Sequence, residues 1–317
     1  ASLEKDGLIS RVAGKGTFIH EHARQRLHNS QYTFALIAPQ TRSGIYPSLL
    51  HGFESGLNQR QYQTTICATE NNLEKQGCFI LRLLDMAVGG VAIVPTSDPP
   101  TPLYQIRQLQ QRGTPVVFCH RKVEGANAPL VAIPFFEAGR IAGEAFLENG
   151  HRRVAIFLSQ KGAAATGFEN GLRSAMRAGG EELPAESVFT VPEAGLHHEE
   201  HDIAVRQYLQ ELFDRPEPPT AIMSSYDPLA ELIYLELGQL DLQVGRDVSL
   251  IGFGSTWREG GLLRSLTSVV VDEAQTGRHA AELLCEMRFG NRPLDDNTEI
   301  MMPLSLTEGR TLGPAPN

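Results

Sequence analysis

Short apolar runs of strand length alternate along this chain with stretches in which apolar residues recur every three or four positions. Residues 33–39 form one run, and Tyr46, Leu49, Leu50, Phe53 and Leu57 follow on one helical face. Residues 62–68 read as a strand, and Asn72 can cap a helix whose inner face is Leu73, Ile80, Leu81 and Leu84. Strand, helix and strand continue through 90–95, 102–112 and 116–119. Residues 136–148 read as a helix stopped by Gly150, and 153–158 as the next strand. The alternation runs on through 167–177, 187–191, 200–213, 220–224 and 226–240. A β-branched strand over 248–253 ends in glycine, and Thr267–Val271 is another strand after a loop. This alternation predicts an α/β fold of parallel sheets wrapped by helices. The strands are too many for one comfortable sheet, so two doubly wound lobes with a ligand cleft between them are expected. The cleft would lie at the C-terminal ends of the strands.

The first twenty residues follow a different pattern. Two short β runs, 8–12 and 17–19, flank Gly14 and Gly16, whose tolerance of positive φ suits a tight hairpin.

Composition narrows the function. A chain of 317 residues with 41% hydrophobic and 21% charged residues suits a soluble protein of two lobes or so. Its apolar runs are too short to span a membrane, so no membrane partner is expected. The opening Ala1-Ser-Leu-Glu-Lys-Asp6 lacks an apolar signal core. Cys67, Cys78, Cys119 and Cys285 are scattered, as reduced thiols in a cytoplasm would be. A net charge of −9 argues against the body of the chain being a nucleic-acid surface, so any DNA contact must come from a small local element.

Catalytic and cofactor motifs are missing. Gly14-Lys-Gly-Thr17 lacks phosphate-loop spacing, no G-x-G-x-x-G follows a strand, and no G-x-S-x-G surrounds Ser159, Ser224 or Ser225. His197-His-Glu-Glu-His-Asp202 places two histidines at i, i+4 without the H-E-x-x-H order, and reads as a solvated acidic helix start. No enzyme activity, cofactor or metal is expected.

Several motifs, in order, do carry a resemblance. Gly245-Arg-Asp-Val-Ser-Leu-Ile-Gly-Phe-Gly254 with Leu266-Thr-Ser-Val-Val-Val-Asp272 resembles the signature of bacterial repressors of the lactose/galactose-repressor (LacI/GalR) type. So do Gly150-His-Arg-Arg-Val-Ala-Ile-Phe157, Asn71-Asn-Leu-Glu-Lys-Gln76 and Pro219-Thr-Ala-Ile-Met-Ser-Ser-Tyr-Asp-Pro-Leu-Ala230. The resemblance implies a type I periplasmic-binding-protein fold over 32–312. The chain would cross between lobes near Ile133, Val271 and Thr298, putting 32–132 and 272–297 in lobe 1, and 133–271 and 298–312 in lobe 2. Residues 3–19 are similar to the end of a GntR-type winged helix-turn-helix. That likeness implies that 1–20 is the wing of a DNA-reading head whose recognition helix would precede Leu3, with Arg11, Lys15, Gly16 and Thr17 at the DNA and 21–31 as linker.

The function so implied is a cytoplasmic, homodimeric transcriptional regulator of the repressor type. A small-molecule effector, a sugar or sugar derivative, would bind between the lobes and change operator affinity. The alternative is a periplasmic-type solute-binding protein for sugar uptake. Family positions put Arg42, Ser43, Tyr46, His120, Arg121, Phe168, Tyr226, Asp227 and Trp257 at the effector. Phe168 and Gly254 replace an Arg and an Asp that sugar-binding members generally use. With Arg42, Arg121 and Lys161 nearby, this departure points to a sugar acid, a sugar phosphate or an aromatic metabolite. Tyr46, Phe168 and Trp257 are expected to converge at the cleft mouth as an apolar clamp. Leu262 and Leu263 are candidate dimer residues.

Overall fold

The computed structural model describes residues 9–12, 16–19, 33–159, 161–191, 198–258 and 260–316. Strands β1 (Ile9–Val12) and β2 (Gly16–Ile19) pair antiparallel, Ile9 opposite Ile19 and Val12 opposite Gly16. Gly16 takes φ +104°, which its missing Cβ permits. The hairpin read from the sequence is therefore present. Lys15 and the linker expected over 21–31 lie outside the described residues.

The rest of the described chain builds two six-stranded sheets. Lobe 1 uses β3 (Thr33–Ala38), β4 (Gln63–Ala68), β5 (Gly90–Ile93), β6 (Val116–His120), β7 (Leu130–Ala132) and β13 (Glu299–Met301). Their order is β13-β7-β6-β5-β3-β4, and every pairing is parallel. Lobe 2 orders β14 (Leu304–Thr307), β12 (Thr267–Val271), β11 (Ser249–Ser255), β10 (Ala221–Ser224), β8 (Val154–Leu158) and β9 (Val188–Thr190), with only β14 antiparallel. The inner strands β5, β6, β8, β10, β11 and β12 are buried along their whole length, because helices cover both faces. That is why they appear in the sequence as unbroken apolar runs.

Helices α1 (Tyr46–Asn58), α2 (Leu73–Asp85) and α3 (Leu103–Gln111) belong to lobe 1, and α4 (Phe135–Glu148), α5 (Ala163–Ala178), α6 (His198–Phe213) and α7 (Asp227–Gln239) to lobe 2. Helix α8 (Glu273–Arg288) returns to lobe 1. Its N-cap is Asp272, whose side chain accepts from Gln275 N at 2.9 Å; Asn72 caps α2 likewise from Lys75 N at 2.8 Å. The stripe on α2 differs from the expectation. Gln76, Ile80 and Leu83 are buried, whereas Leu81 is 53% exposed. Gln76 points inward because its amide donates to Thr101 Oγ1 and Gln105 Oε1, which satisfies polar groups beneath the helix.

The chain changes sheet after β7, after β12 and between β13 and β14. The third change follows Met301, later than expected near Thr298, because β13 first pairs with β7. In each lobe a helix that follows a sheet change packs against the helix that follows the lobe's first strand, α8 on α1 and α4 on α5. Both contacts are glycine-made. A Cβ at Gly52 would lie 1.9 Å from Ala274 O on α8, and one at Gly171 the same distance from Phe136 O on α4. His151, read from the sequence as part of a strand start, is fully buried and ties the chain's end to lobe 2. Its Nδ1 lies 2.9 Å from Thr220 Oγ1 and its Nε2 2.9 Å from Gly313 O.

Candidate functional site

The C-terminal ends of the two parallel sheets face each other, and their loops meet. The loop after β3 reaches Tyr226 at the end of β10: Gln40 Nε2 donates to the Tyr226 hydroxyl at 2.7 Å, and Ser43 Oγ lies 3.0 Å from the same oxygen. Gly44, at φ +65°, lets that loop approach, since a Cβ there would sit 2.0 Å from the tyrosine ring. A second link is Ser255 Oγ donating to Ser48 Oγ at 3.0 Å, both residues buried. Burial raises the Tyr226 phenol's pKa, and the hydrogen bonds from Ser43 and Gln40 partly offset this.

On the lobe 1 side, Tyr46 packs its ring 6.0 Å from the His120 imidazole. His120 ends β6 with φ +68°, a region unfavourable for a residue with a Cβ. Its Nε2 lies 2.9 Å from Glu273 Oε2 at the start of α8, and neither side chain is more than 1% exposed. Arg121 donates from Nε to Pro95 O at 2.7 Å. Arg42 and Lys161 are exposed.

On the lobe 2 side, Asp227 is buried and turned onto β11. Its Oδ1 accepts from Ser268 Oγ at 2.8 Å, and Oδ2 lies 3.9 Å from Arg258 Nη1. The helix cap is Tyr226, so Asp227 caps nothing. Desolvation lifts the Asp227 pKa to about 6 against the opposing pull of Ser268 and Arg258. Gly254 gains its explanation here. A Cβ at 254 would stand 2.1 Å from Asp227 Oδ2, and one at 252 would stand 2.2 Å from Oδ1. The glycine where an acid is expected is what leaves room for Asp227 in this position.

Ser43 and Tyr226 are thus brought together, as are Tyr46 and His120. Phe168 and Trp257 stand elsewhere. Phe168 is 3% exposed, its ring 5.2 Å from Phe135 and 5.0 Å from Phe253, so it lies in the core beneath the cleft rather than at its mouth. Trp257 is 54% exposed and packs 6.0 Å from His51 on the outer turn of α1. Leu263 is half-buried against its own lobe. Thr17 is exposed on β2, while Arg11 lies on β1. Gln40, Glu273, Arg258 and Ser268 escaped the sequence reading. Gln40 and Arg258 had a signal, their place in loops leaving a strand's C-terminal end.

Among the described residues no group of three or more His, Cys, Asp and Glu is placed to hold a metal, and no helix is long and apolar enough to cross a membrane. His197 lies outside the described residues.

The proteins to which this chain is similar include repressors of transcription. The chain is 25% identical over 291 residues to the arabinose metabolism transcriptional repressor of Geobacillus stearothermophilus, covering 90% of this chain and 78% of that protein. It is 22% identical over 312 residues to the transcriptional repressor PurR of Escherichia coli, covering 92% and 89%. A LacI-family transcriptional regulator from Enterococcus faecium, solved with bound ribose, superposes with a TM-score of 0.71 at 18% identity, covering 90% of this chain and all of that one. The sequence profile of the periplasmic binding protein-like domain matches residues 144–312, just over half of the chain, and the chain belongs to that family.

Proposed function

We propose that this chain is the sensing part of a cytoplasmic transcriptional repressor, whose small-molecule effector, a sugar or sugar derivative, binds between the two lobes. The observation that carries the reading is the bridge of Gln40 and Ser43 to Tyr226, made at the C-terminal strand ends of both sheets. Groups that join the lobes at the cleft are the groups whose spacing a ligand there would set. A ligand that binds the closed arrangement better shifts the population toward it, and a dimer can carry that shift to paired DNA heads. The repressors above, alike over about nine-tenths of this chain, support the same reading.

Residues 32–312 then form the effector unit. Lobe 1 takes 32–132 and 272–301, and lobe 2 takes 133–271 and 302–312. Residues 1–20 serve as a wing joined by 21–31, with Arg11, Lys15, Gly16 and Thr17 against DNA. Ser43, Tyr46, His120 and Tyr226 line the effector site, with Arg42 and Arg121 at its edge. Asp227 acts by bracing the loop after β11. Phe168 supports the floor, and Trp257 covers α1. A second copy of the chain completes the regulator, and Leu81 on α2 and Met86 at its C-cap, both exposed, offer more apolar surface for it than Leu262 and Leu263.

The test is thermal unfolding against a panel of neutral sugars, sugar acids and sugar phosphates. A ligand at roughly a hundred times its Kd adds about 2.7 kcal/mol to the folded state. At least one compound should raise the melting temperature by several degrees, and Tyr46→Ala should abolish most of the rise. A melting temperature unmoved by every class would count against the proposal.

A further inference from the structure

We infer that Glu273, held by His120, is a specificity-determining residue that accepts a hydrogen bond from the effector and selects a neutral, hydroxyl-rich ligand over an anionic one. This rests on the effector reading above.

Glu273 opens α8 immediately after the chain returns from lobe 2, and His120 closes β6, one of the central strands of lobe 1. The two side chains meet at 2.9 Å through Oε2 and Nε2. The other carboxyl oxygen, Oε1, is buried with no hydrogen-bond partner among the described residues. A buried acceptor left without a donor is unfavourable, and native proteins rarely keep one without a use. The pair also holds an unfavourable backbone: His120 sits at φ +68° without being a glycine. Strain of this kind persists where the surroundings impose it, and it gathers at binding sites. Tyr46 lies against the His120 ring, so an aromatic face and an acceptor adjoin the same imidazole. Such a face packs on the C–H side of a sugar ring while the acceptor takes a hydroxyl proton.

The missing partner of Oε1 must be a donor. A ligand hydroxyl supplies one, whereas a ligand carboxylate or phosphate supplies only acceptors and places like charge beside a buried acid. Of the three cations that made the cleft look basic, Arg42 and Lys161 are exposed and screened by water, and the part-buried Arg121 is engaged by Pro95 O.

Calorimetry on the whole chain with D-ribose, L-arabinose, D-gluconate and D-ribose 5-phosphate tests this. A neutral pentose should bind more tightly than either anion. Glu273→Gln should weaken the pentose at least tenfold while the unfolding midpoint holds or rises. His120→Asn, a residue that tolerates the left-handed backbone, should weaken it in the same direction, and it serves if the first variant fails to fold. Tighter binding of gluconate or the phosphate than of either pentose, still lost in Tyr46→Ala, would overturn this inference and leave the effector proposal standing. So would a pentose affinity within twofold of wild type in Glu273→Gln. No binding by any of the four counts against both.

Discussion

Each lobe buries an acid in the first turn of a helix, and the two acids are treated differently. In lobe 2, Asp227 has Ser268 and Arg258 around it, and two glycines of β11 are cut away to admit it. In lobe 1, Glu273 has His120 on one oxygen; the second oxygen of each acid is buried without a hydrogen bond among the described residues, but Asp227 Oδ2 has the Arg258 cation 3.9 Å away. Asp227 is enclosed by its own sheet, so its work is done within the fold. Glu273 is held by His120, whose ring packs against Tyr46 at the end of the sheet that faces lobe 2. A buried acid says little by itself. What its second oxygen meets separates a brace from a binding group.

The helix layer tests how far the lobes are alike. Both close on glycine contacts in which an added Cβ would stand 1.9 Å from a carbonyl oxygen of the neighbouring helix. Gly52→Ala in lobe 1 and Gly171→Ala in lobe 2 must each push helices apart, since backbone cannot yield as a flexible side chain does. Each should cost roughly 3 kcal/mol or more, read by urea unfolding. A loss below about 1 kcal/mol in one lobe would show that its helix pair relaxes and that the likeness ends there.

The acids themselves come next. Asp227 has a folded-state pKa of about 6, raised by burial above the ordinary 3.8. Raised for an acid means that the folded state holds the proton more tightly. The ionised carboxylate therefore costs stability above pH 6, and the cost is relieved as pH falls from 6 toward 4. Its ceiling is about 3 kcal/mol. Unfolding free energy of the wild type minus that of Asp227→Asn should fall as pH rises from 4 to 7. A difference that is flat, or that rises with pH, would mean that Arg258 and Ser268 compensate the charge fully.

The smallest effect belongs to the bridge between the lobes. Tyr226→Phe removes the hydroxyl that Gln40 and Ser43 share, a change of about 1 kcal/mol for a partly solvated group. Stability should move by that much or less, while affinity for any bound effector falls several-fold. An affinity unchanged in the variant would show the bridge to be independent of ligand binding.

Much of the architecture was legible in the chain because buried parallel strands advertise themselves. Residues covered on both faces must be apolar, so β3, β5, β6, β8 and β11 stand out as runs. Edge strands have no such obligation. The edge strands β13 and β14 are three and four residues long and partly exposed, and they passed unseen, as did the inner strand β7, whose three buried residues are too few to register as a run. The third change of sheet was placed too early for that reason. Helix α2 was found but turned wrongly, since Gln76 takes a core position that an apolar count gives to Leu81.

The site divides along the same line. Loops that leave strand ends can be located from the alternation, and the family resemblance then singled out Ser43, Tyr46, His120 and Tyr226 on or beside them. Glu273 and His120 are 153 residues apart and become partners only when α8 packs back onto lobe 1. Phe168 and Trp257 look alike as aromatics in loops or helix starts, yet one faces the core and the other solvent. Gly254 looked like a lost acid until Asp227 was found occupying the space. Periodicity records which face of an element is covered, and so the chain itself determined its elements, its two lobes and the side on which they meet. Which polar groups end up within 3 Å depends on how whole lobes fold back on each other, and only the tertiary structure decided that.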